Sequence, residues 1–160
     1  MERGMRRFKQ KLNPDDVAEI LTCGTNAILS LVDVDGEPYG VPISFVWDGS
    51  DFIYMHSAVT GRKIECIRHK GRCSLCVVAQ DDVVPKEFTT YFRSVIAEGD
   101  IHIVDDVEER ISALRMIALK YSPGFDSAGE IAECLGHVAV LRIKIISISG
   151  KEAIELARRR

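Results

Sequence analysis

The spacing of apolar residues changes several times along the chain, and each change marks an element. Asn13-Pro14, then Asp15 and Asp16, then Val17, Ile20 and Leu21 predict a capped helix with proline in its first turn, ending near Gly24. Asn26 to Val34 is rich in Ile, Leu and Val and reads as a strand. Asp35-Gly36 is a hairpin signal, and Tyr39 to Trp47 is the return strand. Asp48-Gly49 turns the chain again into a third strand, Asp51 to Ser57. Thr60 to His69 predicts a short helix with Ile64 and Ile67 facing inward.

The second half continues in the same manner. Arg72 to Gln80 reads as a strand, Asp81 to Lys86 as a loop, and Phe88 to Val104 as a long or bent strand with Gly99 at a bulge. Asp105 or Asp106 caps a helix whose stripe is Ile111, Leu114, Ile117 and Tyr121; Ser122-Pro123-Gly124 stops it. A short helical piece is expected around Ser127 to Leu135. In the last strand, His137 to Ser149, one face carries Ala139, Leu141, Ile143 and Ile145 and the other Arg142 and Lys144. Strands that follow one another directly form antiparallel sheets, and closure into a barrel hides their edges. The expected fold is mainly β with flanking helices, a six-stranded antiparallel barrel.

Composition narrows the picture. A chain of 160 residues, 46% hydrophobic and 28% charged, fits one globular domain over 1–160, with a basic N-terminal segment (1–12) and a C-terminal tail (151–160). A net charge of −3 argues against a general nucleic-acid binder, because phosphate neutralisation needs a basic surface; a single anion pocket remains compatible. No apolar run of about 18 residues is present. The basic start lacks the apolar stretch of a secretory signal, so a cytoplasmic protein is expected, with its five cysteines reduced. Cys73 and Cys76 form a C-x-x-C without a second pair. In a strand they point to opposite faces, which favours packing over metal binding.

The stretch from Tyr54 to Ile64 carries the chemistry. A strand ends in His56 and Ser57, Gly61 permits close backbone approach, and Arg62 and Lys63 open a helix. Free amides, the positive end of the helix dipole and two cations converge there and favour a phosphate. The competing reading is a Thr60 helix cap followed by two solvated cations. His56 is the candidate catalytic group, since imidazole ordinarily titrates near neutrality and can hand over a proton; a structural hydrogen bond is the alternative.

Four motifs, Gly40-Val41-Pro42-Ile43-Ser44-Phe45, Tyr54-Met55-His56-Ser57-Ala58, Gly61-Arg62-Lys63 and Tyr91 to Gly99, give the chain a resemblance to the pyridoxamine-5′-phosphate-oxidase-like split barrels. It is most similar to the branch of 5-nitroimidazole-resistance proteins. The resemblance implies a split barrel that binds FMN at the interface of a homodimer. It assigns the phosphate to Arg62 and Lys63, with His56 and Ser57 beside the phosphate and ring edge. The backbone of Val41, Pro42, Ile43, Ser44, Phe45 and Val46 would run along the flavin ring, and Ser94 would reach the cofactor from the second subunit. Two departures weigh against oxidation of pyridoxamine phosphate itself. Val41 stands where the oxidase has an arginine, and the oxidase's C-terminal tryptophan–arginine motif has no counterpart, the single tryptophan being Trp47.

These readings support an FMN-dependent oxidoreductase acting on nitroimidazoles or similar small aromatics, with no metal, nucleic acid or membrane partner. The alternatives are a non-catalytic flavin- or haem-binding module and a relative that uses a deazaflavin.

Overall fold

A computed structural model describes residues 8–159. Its centre is one antiparallel sheet of seven strands: β1 (Ala27–Val32), β2 (Pro38–Ile43), β3 (Val46–Trp47), β4 (Phe52–Ala58), β5 (Arg72–Val84), β6 (Thr89–Ile103) and β7 (Val138–Glu152). Their order is β2-β1-β5-β6-β7-β4-β3. The edge strands β2 and β3 are consecutive in sequence yet pair with β1 and β4 respectively, so the sheet curls without closing. This is a split barrel.

The expected return strand Tyr39 to Trp47 is therefore two strands, which raises the count from six to seven. The break falls at Ser44-Phe45. Phe45 buries its ring completely, and its backbone N–H leaves the ladder to bond the hydroxyl of Tyr121 at 2.9 Å. The segment Asp81 to Val84, expected as loop, instead extends β5 by pairing with Thr89 to Phe92. The N–H and C=O groups of the two segments satisfy each other, which outweighs the poor strand propensity of Asp81 and Asp82. Pro85 opens a single 3₁₀ turn that ends the strand.

The helices are α1 (Pro14–Cys23), α2 (Arg62–His69), α3 (Val107–Tyr121), α4 (Ala128–Cys134) and α5 (Ile154–Ala157). Asn13 caps α1 through Asp16 N–H, and Asp106 caps α3 through Glu109 N–H. β7 runs to Glu152 rather than ending at Ser149, and α5 occupies the region read as a tail. Of the basic N-terminal segment, 1–7 lie outside the described residues; Leu12 is buried, and Lys11 bridges to Lys151.

Two apolar clusters flank β4. Ile53 and Met55 point into the barrel with Leu29, Leu75 and Ile143; Tyr54 points outward to a second cluster with Leu114, Ile117 and Val140 beneath α3. At the bulge in β6, Gly99 is required: a Cβ there would lie 2.2 Å from the carbonyl oxygen of Lys144. Cys73 is buried and Cys76 half-buried, on opposite faces of β5. Among the described residues no helix is long and apolar enough to cross a membrane.

Candidate anion site at the start of α2

Three elements meet where β4 ends. The β4 strand delivers Ser57, α2 begins at Arg62, and the turn between β1 and β2 brings Asp33 alongside. Ile64, Cys66 and Ile67 anchor α2 in the barrel cluster, so its N-terminus is fixed against the end of the barrel. Gly61 is the N-cap, with φ 115°, a conformation that side chains oppose. Thr60 does not cap the helix, and no side chain bonds its first amides. The N–H groups of Arg62, Lys63 and Ile64 precede the first intrahelical bond, Glu65 N–H to Gly61 O. They are available to an anion.

Lys63 donates to the Ser57 hydroxyl at 3.2 Å, and burial lowers its pKa from the ordinary lysine value. Arg62 points elsewhere. It is more than half exposed, donates to Asp33 at 2.7 Å and lies over the Tyr39 ring at 4.5 Å. The other oxygen of Asp33 accepts the backbone N–H groups of Asp35 and Glu37, so the β1–β2 turn holds this carboxylate in place. The hydrogen bond from Arg62, reinforced by these amides, draws the Asp33 pKa below its ordinary value.

The remaining sequence-predicted residues divide by location. Val41 is half-buried and Ile43, Phe45 and Val46 are buried, whereas Pro42 and Ser44 face outward along the split edge. His56 is exposed and, by strand alternation, lies on the face opposite Ser57. The structure thus brings Ser57 and Lys63 together but turns His56 away from them. Ser94 is far from both. Ser57 pairs with Ala139 on β7 and Ser94 with Lys151, so about 40 Å of strand contour separates them.

Three contributors escaped sequence reasoning. Asp33 fell inside the strand expected over Asn26 to Val34, and nothing local links it to Arg62. Tyr121 was legible as part of a helix stripe, but its hydroxyl pins the strand break, accepting from Phe45 N–H and donating to the Thr25 carbonyl at 2.6 Å. Lys120 places its ammonium 4.2 Å from the Phe45 ring centre, where burial lowers its pKa. The chain also opens a cleft of about 440 Å³ between α1 and β5, lined in part by Ile20, Cys23, Val78, Gln80 and Arg93.

The fold recurs in solved structures. A 5-nitroimidazole antibiotic resistance protein from Bacteroides thetaiotaomicron is 22% identical with a TM-score of 0.77, over 89% of this chain and 86% of that one. A flavocytochrome from Azotobacter vinelandii is 23% identical with a TM-score of 0.76, over 94% and 72%. An FAD- and haem-binding protein from Mycobacterium smegmatis is 21% identical with a TM-score of 0.76, over 91% and 73%. No curated protein matches the chain. The model of the pyridoxamine 5′-phosphate oxidase family matches residues 13–152, and the chain belongs to that family.

Proposed function

We propose that this chain binds FMN at the β4–α2 junction and uses it as an oxidoreductase on small planar aromatic compounds such as nitroimidazoles. The observation that carries this reading is the uncapped start of α2 beside the Lys63–Ser57 contact, in a chain of this family. The residues fit a phosphate: the start of α2 offers three amides without a side-chain cap, Lys63 of that same turn is joined to the Ser57 hydroxyl, and Arg62 needs only to leave the exposed Asp33 pair to add a bidentate grip. A flavin without a phosphate would leave this set unused.

When bound, the flavin supplies the electron and hydride transfer. The chain's own part is to bind, orient and exclude water. Ser57, Lys63 and Arg62 hold the phosphate, and the Val41–Val46 backbone lies along the ring. The wide separation of Ser57 from Ser94 in one chain supports a site completed by Ser94 of a second copy, hence a homodimer.

A second reading, a flavin- or haem-binding module without turnover, is favoured by the names of the flavocytochrome and the FAD- and haem-binding protein. The absorbance spectrum of the purified protein, with the mass of whatever it releases on denaturation, tests both. Flavin bands and the mass of FMN support the proposal. A Soret band, or colourless protein that FMN does not stabilise against heat, contradicts it.

A further inference from the structure

The net charge of −3 averages over a chain whose charge is divided. Residues 1–11 and 151–160 hold nine of the 21 Lys and Arg residues but three of the 24 Asp and Glu, so the remainder has 12 cations against 21 carboxylates. The fold brings the two basic ends together. Leu12 N–H bonds the Gly150 carbonyl at 3.0 Å, Lys11 bridges Lys151 in antiparallel register, and the 3₁₀ turn Phe8–Gln10 packs against α5.

Among the described residues Lys9, Lys11, Lys151, Arg158 and Arg159 form no ion pair. All are exposed except Lys151, which is half-buried. Lys151 and Arg159 rest instead on ring faces, 5.4 Å from Phe92 and 5.0 Å from Tyr91. Against the five cations stands Glu155, since Arg93 at 3.3 Å already balances the fully buried Glu152. Residues directly opposite in an antiparallel bridge carry their side chains on one side, with Cβ atoms about 5 Å apart, so Lys11 and Lys151 repel. A repelling pair with no carboxylate between its members suits an anion from outside.

We propose that this end of the molecule docks on an anionic phospholipid surface, with Phe8 seated at the headgroup level and the acidic remainder turned away. Apolar residues within the basic run favour lipid over a polynucleotide. Phe8 is 70% exposed beside Lys9 and Lys11, and in sequence Met1, Met5 and Phe8 recur four and three residues apart, interleaved with Arg3, Arg6 and Arg7. A basic segment of that pattern suits the boundary between headgroups and acyl chains, whereas a phosphodiester backbone has no use for its apolar members. The missing apolar run of about 18 residues rules out a helical span and leaves a surface contact open. Each cation within a Debye length of such a surface, about 8 Å, strengthens binding about fivefold.

Co-sedimentation of the full chain with vesicles tests this, without added FMN because the inference does not use the flavin reading. Vesicles of equimolar phosphatidylglycerol and phosphatidylcholine are compared with phosphatidylcholine alone. Binding to the anionic vesicles is expected, at least tenfold weaker at about 0.5 M salt, with none to the neutral ones. Lys11→Gln combined with Lys151→Gln is expected to weaken it at least tenfold without lowering the melting temperature, since a repelling pair is removed. Lys70→Gln combined with Arg115→Gln removes the same charge from exposed positions elsewhere and is expected to change binding less than twofold. Phe8→Ser is expected to weaken binding severalfold. Equal binding to both vesicle types, binding to neither, or a Lys11/Lys151 double variant within twofold of the unmodified chain overturns the proposal. So does a Phe8→Ser protein that binds unchanged, or tighter binding to a single-stranded oligonucleotide than to the anionic vesicles at the same salt.

Discussion

Lys63 and Ser57 stand six residues apart in sequence and are joined at 3.2 Å, the helix cation bonding the hydroxyl that ends the preceding strand. Because α2 is anchored by Ile64 and Ile67 in the barrel, this ammonium is held in place before any ligand arrives. Burial places its pKa below the ordinary lysine value. A phosphate ligand needs the charged form, so FMN affinity is expected to fall with rising pH before free lysine would titrate. Lys63→Arg, whose charge persists, removes that fall. A fluorescence titration of FMN across pH checks it; identical profiles for the two proteins refute it.

Asp33 competes with the phosphate for Arg62. Asp33→Asn keeps the acceptor oxygen used by the turn amides but gives up the charge, so it is expected to tighten FMN several-fold. The pair's own pH dependence follows from its sign. A depressed carboxyl pKa means that the contribution is present above the ordinary Asp range and is lost only as pH falls through the lowered value. Carbon-13 NMR of the Asp33 carboxyl group should show its midpoint rise in Arg62→Gln.

Tyr121 is expected to matter for stability out of proportion to its partial exposure. Tyr121→Phe leaves the N–H of Phe45 without its acceptor at the β2–β3 break. A loss of about 1–2 kcal/mol is expected, lowering the melting temperature by about 3–6 °C. Calorimetry measures it, and an unchanged transition refutes the role given to that hydroxyl.

The thiols should separate sharply in reactivity. Burial pushes the Cys73 pKa up to about 12, whereas Cys23 is exposed. Thiol-reactive reagent at pH 8 is expected to label Cys23 in the folded protein and to reach Cys73 only after denaturation. Mass mapping of labelled peptides decides it.

Much of the fold was legible because it rests on local signals. Asp35-Gly36 sets the β1–β2 hairpin, Asn13-Pro14 and Asp106 start helices, and Gly99 marks a bulge that a Cβ could not enter. The misreadings are tertiary in origin. The break at Ser44-Phe45 depends on a hydroxyl 76 residues away, and Asp81 to Val84 becomes strand because Thr89 to Phe92 returns alongside it. Within the site, Ser57, Gly61 and Lys63 were readable as a run of residues. The pairing of Arg62 with Asp33 across the barrel end was not, since no period or motif links the two. Strand alternation was readable in principle and separates His56 from Ser57.

The phosphate grip at the start of α2 can be isolated by comparing FMN with riboflavin, which shares the ring but lacks the phosphate. Calorimetric titration of both into the apoprotein is expected to show FMN binding about 100-fold more tightly, a preference that shrinks to a few-fold in Lys63→Met. Equal affinities for the two flavins, or a preference that survives Lys63→Met intact, would contradict the assignment of this junction as the phosphate site.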